Sequence, residues 1–272
     1  MSQPSESEVQ FFQDNGFAIA DALIDTDLLE AAYGSFERIL DLDELPKGVQ
    51  LNERAGIGLS DPQNSMIRIN YPHLADEALR RVITESRIGE WAANLLGAEA
   101  IQVFFAHMLH KPPDDDPSYK VGWHQDGQYT AFFNDHFVTA WIPFTPVTPA
   151  SSPMNYVIGS HLYDEVIGGS SLSSPGSIDE LKSRMLERKQ IEWKEKAVVG
   201  PLGTVSFHHS MTVHGTRPNY ADYPRRSFTV HMRSERGTYR PENPDKFAER
   251  VIKKPDFCPV IYGPPEAFPD IH

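Results

Sequence analysis

A chain of 272 residues is long enough for one domain with a sizeable buried core, and 40% hydrophobic with 23% charged residues is an ordinary globular composition. A net charge of −13, broken only by short basic pairs such as Arg80-Arg81, Arg225-Arg226 and Lys253-Lys254, argues against nucleic acid and anionic membranes as partners and for a small molecule. One cysteine, Cys258, excludes an internal disulfide or thiolate cluster; the opening MSQPSESEVQFF lacks a signal-peptide pattern and no long apolar run follows, so a cytoplasmic address is expected and oligomeric state is left open.

From Glu8 to Leu40 the pattern is helical, interrupted at Asn15-Gly16 and by a short strand at Phe17–Ala20. Asp25 and Thr26 suit the N-cap of a helix over Asp27–Leu40, with Leu28, Leu29, Ala32, Phe36 and Leu40 at helical spacing. Residues 41–65, with Gly56, Gly58 and Pro62, read as loop, and a second long helix is predicted from Ala75 to Leu96, ending at Gly97. Strand-forming runs then take over: Ile101–Leu109, Phe137–Phe144, Gly203–Phe207 and Ser227–Arg233, separated by turn clusters. Ser177–Lys196 reads as a charged helical insertion. A single domain over 1–272 is expected: a mostly helical part to residue 97, a β core of sandwich or barrel type over 98–240, and a tail over 241–272.

The segment KVGWHQDGQYT carries His124-x-Asp126, and alternation on a strand end points both side chains the same way. An imidazole and a carboxylate sharing one space, with a third ligand from a distant strand, make a facial triad with positions left open for an oxo-acid and dioxygen on Fe(II). Alone, the pair is a weak signal, since 11 histidines give about one such pair by chance. Further along, His214-Gly215 ends one strand and Arg225-x-Ser227 opens the next. An arginine fork beside a hydroxyl is what a terminal carboxylate requires, and alternation favours Arg225 over Arg226 because it shares a face with Ser227.

Lys111-Pro-Pro, Trp123-His-Gln-Asp126, Trp141 in a strand, Gly159-Ser-His161, His214-Gly-Thr-x-Pro-Asn219 and Arg225-Arg-Ser227 occur in this order, preceded by FFQDNGFAIADALID. Together they resemble the phytanoyl-CoA dioxygenase family of iron(II)- and 2-oxoglutarate-dependent oxygenases over most of the chain. The resemblance implies a mainly β fold with flanking helices on a double-stranded β-helix (jelly-roll, cupin-like) core. It implies Fe(II) on His124, Asp126 and His214, 2-oxoglutarate on Arg225 with Thr216, Ser227 and Trp141 near it, and dioxygen as oxidant. Asp126 argues against halogenation, because halogenating relatives carry a small residue there. The stretch SSPMNYVIGSH departs from the family in lacking a glycine before Gly159, which leaves Asn155 as a possible pocket residue.

His208 and His209 rival His214, but they face opposite sides of a strand, and the following glycine and the spacing to Arg225 favour His214. His161 reads as a structural loop residue, and His107 and His231 as satisfied core histidines, with His107 able to line the pocket if its strand faces the iron. Gln128, Tyr129, Phe132, Arg68 and Asn70 are candidate substrate contacts, Gln128 foremost. The expected reaction is hydroxylation of an unactivated C–H bond in a small metabolite, with 2-oxoglutarate converted to succinate and carbon dioxide. An acyl-CoA fits poorly for want of a basic channel, whereas an amino acid, a natural-product intermediate or an organophosphonate fits. The alternatives are a non-catalytic jelly-roll binding protein and a metal-dependent hydrolase on a β-barrel.

Overall fold

Ser5 and Glu8 form a capping box ahead of helix α1 (Glu6–Asn15), and Gly16, at φ +81°, ends it in the left-handed conformation that glycine adopts freely. The computed structural model describes residues 3–53, 63–113, 121–130, 132–135, 137–163, 182–183, 186–187, 192–240 and 245–271. After strand β1 (Phe17–Ala20) the expected helix over 27–40 is two helices, α2 (Thr26–Tyr33) and α3 (Ser35–Leu40). At the break Arg38 folds back over Gly34, where a Cβ would meet its guanidinium at 2.8 Å, and donates to the Ala31 carbonyl.

The second expected helix is likewise two, α4 (Glu77–Glu85) and α5 (Ile88–Leu96), with Ser86 extended between them and the Arg87 N–H bonded to the Leu23 carbonyl. Asp76 caps α4 by accepting from the Ala78 and Leu79 amides, and also takes the Ser35 hydroxyl and the Arg38 guanidinium, locking α3 to α4. Residues 41–65 are not wholly loop. Strand β2 (Gln50–Glu53) pairs with β3 (Ile67–Asn70), while Gly56, Gly58 and Pro62 lie outside the described residues.

The remaining strands are β4 (Ile101–Lys111), β5 (Val138–Pro143), β6 (Met154–Val157), β7 (Glu195–Ala197), β8 (Val205–His209), β9 (His214–Thr216), β10 (Arg225–Ser234) and β11 (Val260–Tyr262), with a short helix α6 (Lys246–Val251) before the last. The main antiparallel sheet runs β1-β8-β5-β10-β4-β3-β2, and β11 joins the start of β4; a second sheet runs β7-β6-β9. The N-terminal part thus supplies three strands to the main sheet, and the expected tail pairs with β4. The predicted insertion over 177–196 ends in strand, because Glu195 and Lys196 belong to β7. Of the rest, Lys182, Ser183, Leu186 and Glu187 are helical and most other positions lie outside the described residues. No helix among the described residues is long and apolar enough to cross a membrane.

Alternation gives the main sheet two faces. Ile67 and Ile69, Ala106 and Met108, Ala140 and Ile142, Val205 and Phe207, and Phe228, Val230 and Met232 join residues of α2, α4 and α5 in the principal core. The opposite face is polar and looks toward the smaller sheet. Register sets it in rows: Arg225 opposite Lys111; Ser227 opposite Leu109, itself opposite Arg68; Thr229 between His107 and Trp141, with Asn70 beyond; His231 between Phe105 and Thr139, with His208 beyond. A bulge at Phe104 lets both Phe104 and Phe105 border the space above this face.

Candidate active site

Between the two sheets lies a cavity of about 590 Å³. Its floor is the polar face of the main sheet, and its far wall is built from β9, Met154 and the 121–130 segment. His124 and His214 are brought together by reciprocal backbone hydrogen bonds of 2.9 Å in each direction. Gly215 makes this approach possible, since a Cβ there would press on the Trp123 backbone at 3.2 Å. Asp126 follows two residues after His124, with an extended Gln125 between them, and opens a 3-10 turn (Asp126–Tyr129).

Both histidines are oriented by their own strands. The Nδ1 of His124 donates to the Gly122 carbonyl at 2.7 Å, and that of His214 to the Thr212 carbonyl at 2.9 Å, which leaves each Nε2 with its lone pair free. Each Nε2 faces Asp126 Oδ1, at 3.5 and 3.6 Å. Ligand atoms of His124, Asp126 and His214 lie within 4.8 Å of one another. A metal with ligands at about 2.1 Å would set neighbouring ligands roughly 3 Å apart, so a small inward movement completes its coordination and the donor set fits.

The other carboxylate oxygen is held from behind. Asp126 Oδ2 accepts from Thr139 Oγ1 at 2.8 Å and from His208 Nε2 at 3.1 Å. His208 is fixed in turn by the Tyr156 hydroxyl at 3.2 Å, and Tyr156 by Ser206 at 2.7 Å. Because Thr139 spends its proton on the carboxylate, its oxygen accepts from His231 Nδ1 at 3.0 Å, which leaves His231 Nε2 as an acceptor. Burial alone would raise the Asp126 carboxyl, but His214, His231 and the hydrogen bonds of His124 and His208 outweigh it and hold it well below the carboxylate range. Burial first, then the neighbouring rings of His208 and His124, keeps His214 neutral. An ionised carboxylate beside the neutral His214 imidazole is the state in which these groups ligate a metal.

Arg225 lies in the same cavity, fully buried, with Nη1 donating to Ser227 Oγ at 3.0 Å and its guanidinium 5.3 Å from the Trp141 ring. Its Nε and Nη2 have no partner among the described residues. Burial pulls it down to about 10, so it remains a cation at neutral pH. Arg226 points the opposite way, paired with Glu37 and bonded to the Tyr33 carbonyl and His110, as alternation requires. Thr216 faces the cavity beside Arg225, and the fully buried Lys111 donates to its hydroxyl at 3.1 Å and to Ser152 at 2.7 Å.

Phe132, Tyr129, Arg68, Asn70 and His107 border the cavity, whereas Gln128 does not. Asn155 is turned away as well, its amide donating to the Pro153 carbonyl, and Met154 takes the wall instead. His107 and His231 are not satisfied core histidines: both border the cavity, and His107 Nδ1 and His231 Nε2 lack partners among the described residues. His208 looks inward while His209 bonds the Met211 amide, and His161 ties the Gln13 carbonyl as a structural residue. Thr139, Lys111 and Tyr71 were missed as site residues, with only the Lys111-Pro-Pro motif as a signal for any of them, and His208, weighed as a rival ligand, instead holds Asp126 from behind.

The phytanoyl-CoA dioxygenase profile matches residues 12–227. The chain belongs to the phytanoyl-CoA dioxygenase family. The family is one of 2-oxoglutarate-dependent oxidoreductases, with iron, 2-oxoglutarate and dioxygen as its cofactors. It is 29% identical over 167 residues to a probable alpha-ketoglutarate-dependent hypophosphite dioxygenase of Stutzerimonas stutzeri, a match spanning 60% of this chain and 55% of that relative. Its fold is similar to that of the non-heme carbocyclase SnoK of nogalamycin biosynthesis, with a TM-score of 0.68 and 22% identity over 91% of this chain and 90% of that one. EctD from S. alaskensis, solved with 2-oxoglutarate and 5-hydroxyectoine, has a TM-score of 0.65 and 18% identity over 97% and 86% of the two chains.

Proposed function

We propose that this chain is an oxygenase that couples oxidation of a small molecule, by default hydroxylation of a C–H bond, to conversion of 2-oxoglutarate into succinate and carbon dioxide. One atom of dioxygen enters each product. Iron on His124, Asp126 and His214, with 2-oxoglutarate and dioxygen bound, supplies an oxidant able to take hydrogen from an unactivated C–H bond. The chain's own residues do the placing. His124 and His214 present Nε2 because their Nδ1 protons are engaged, and Asp126 presents Oδ1 because Oδ2 is engaged. Arg225, steadied by Ser227 against Trp141, takes the far carboxylate of 2-oxoglutarate, and Lys111 fixes the Thr216 hydroxyl beside it. Phe104, Phe105 and Phe132 keep water from the reacting bond.

The observation that carries this reading is a fully buried arginine with two unpartnered nitrogens in the same cavity as a two-histidine, one-carboxylate set. A hydrolase needs the metal set but gives Arg225 nothing to hold. The similar proteins include a probable hypophosphite dioxygenase, a carbocyclase and a protein solved with 5-hydroxyectoine, so a small-molecule substrate is the common ground. Anaerobic titration of the full chain with Fe(II) and 2-oxoglutarate tests it. A visible charge-transfer band in the wild type that His124→Ala abolishes supports the reading; folded, iron-loaded protein without the band overturns it.

A further inference from the structure

A second polar cluster occupies the other side of the cavity, on β3 and β4 rather than β10. Arg68 and Asn70 alternate with the core residues Ile67 and Ile69 and therefore both face the cavity. Arg68 Nε and Asn70 Oδ1 are buried with no hydrogen-bond partner, and no carboxylate among the described residues pairs with Arg68. Two other interior arginines, Arg226 and Arg233, are matched by Glu37 and Asp270, and only Arg225, the arginine assigned to 2-oxoglutarate, shares the unpaired state among the described residues. The one carboxylate besides Asp126 on the cavity wall, Asp245, is engaged in capping α6 through the Phe247 and Ala248 amides. Arg68 is thus a half-buried cation awaiting an anion, with no acid among the described residues paired to it.

The neighbouring unpartnered groups are acceptors. Asn70 Oδ1 and His231 Nε2 each need an O–H or N–H that no described residue supplies. Beside them stands an aromatic wall, with Tyr71 5.2 Å from Phe105 and 5.8 Å from Phe247 between ring centroids. Tyr71 holds φ +52°, an uncommon conformation for a bulky residue, pinned by its N–H to the Ala106 carbonyl at 2.8 Å. That conformation immediately after Asn70 turns the ring toward the cavity.

We propose that Arg68, Asn70 and the Tyr71–Phe105–Phe247 wall form the prime-substrate subsite, and that its ligand is a small hydroxy- or amino-substituted oxyanion, a carboxylate or phosphonate, on an apolar body. The assignment rests on the reading that 2-oxoglutarate occupies Arg225. The anion sits on Arg68, the hydroxyl or ammonium donates to Asn70, and the apolar body lies against the rings, beside rather than beyond 2-oxoglutarate. Arg68 is a binding residue and no proton transfer is asked of it.

The full chain loaded with Fe(II) and saturating 2-oxoglutarate under nitrogen tests this, with thermal shift and calorimetric titration as readouts. The probes are 2-hydroxy-4-methylpentanoate and 1-hydroxybutylphosphonate, against 1,2-hexanediol, which lacks the anion, and 4-methylpentanoate, which lacks the hydroxyl. The expected result is stabilisation by at least one hydroxylated oxyanion, none by the diol, and affinity lower by on the order of thirtyfold in Arg68→Met. Which of the two oxyanions binds better decides between carboxylate and phosphonate. Without ligands, Arg68→Met should melt no lower than the wild type, because it removes an unpaired cation. No stabilisation by either oxyanion, equal stabilisation in Arg68→Met, or loss of the iron–2-oxoglutarate band in Arg68→Met overturns the proposal. If instead the wild type shows no such band, the failure lies with the cofactor reading, and the oxyanion titrations still report on Arg68.

Discussion

Arg225 and Arg226 are adjacent in sequence and opposite in surroundings, so replacing each separates binding from stability. Arg225→Met keeps most of the side-chain volume but removes a fully buried guanidinium whose only hydrogen bond among the described residues is to Ser227. Losing one partner of a buried charge pair costs about 2–5 kcal/mol, so 2-oxoglutarate affinity should fall roughly thirtyfold to several-thousandfold. Stability of the ligand-free chain should hold or rise, since an unpaired buried cation is lost. Arg226→Ala does the reverse. It breaks the paired contact with Glu37 and the bonds to the Tyr33 carbonyl and His110, while nothing of Arg226 faces the cavity. Glu37 is 44% exposed, so solvent screening reduces the loss to about 2 kcal/mol, which lowers Tm by roughly 5 °C in a chain of this size. Anaerobic titration of the charge-transfer band gives the affinity, and calorimetry gives Tm. Unchanged 2-oxoglutarate affinity in Arg225→Met, or its loss in Arg226→Ala, would refute the assignment of faces.

Thr139→Val keeps the shape of the site but deletes the hydroxyl that holds Asp126 Oδ2, and Fe(II) affinity measured with a competing chelator should drop about 10- to 100-fold. An unchanged affinity would mean that His208 alone orients the carboxylate. Gly215→Ala presses a methyl onto the Trp123 backbone, so the strands carrying His124 and His214 must separate; weaker Fe(II) binding with far-UV circular dichroism preserved is expected. Stability should also fall with acid. Burial holds His73 and His110 down to about 4, below the unfolded value of about 6.5, so the unfolded chain takes up their protons first. Their contribution is complete above about pH 6.5 and is lost as pH falls toward 4. At pH 5 each should have cost about 2 kcal/mol, and urea midpoints that stay flat from pH 7.5 to 5 would contradict this.

Local signals were legible and cross-strand ones were not. His124-x-Asp126 needs only a two-residue repeat, and the choice of Arg225 over Arg226 needs only alternation; His124, Asp126 and Arg225 border one cavity while Arg226 turns to Glu37. Thr139, His208 and His231 meet Asp126 because β10, β5 and β8 pair in one register, which no segment of the sequence states by itself. Strands β2 and β3 read QLNE and IRIN, too short and too mixed in charge to signal strand, and gain that state from pairing with each other and with β4. The second helix break likewise comes from a distant group, the Leu23 carbonyl taking the Arg87 amide.

Among the described residues, two arginines on the cavity wall keep buried nitrogens without a partner, Arg225 Nε and Nη2 on one side and Arg68 Nε, with Asn70 Oδ1, on the other, while His107 Nδ1 and His231 Nε2 stand unpartnered on the same wall. Rules of local satisfaction fail where a ligand completes them, so two such arginines imply two ligands, unless both grip one. 2-Oxoglutarate has two carboxylates, which makes that exception a real alternative. Sheet geometry separates the cases. Arg68 lies two strands from Ser227 and Arg225 two residues further along, which puts their Cα atoms about 12 Å apart at ordinary strand spacing. One carboxylate of 2-oxoglutarate must chelate the metal, leaving only the other for an arginine. A double-mutant cycle with Arg68→Met and Arg225→Met, read as 2-oxoglutarate affinity, should give a coupling below about 1 kcal/mol, with Arg68→Met alone shifting affinity less than about fivefold. A loss in Arg68→Met equal to that in Arg225→Met would place both guanidinium groups on the same carboxylate and leave the β3 side of the cavity without an anion of its own.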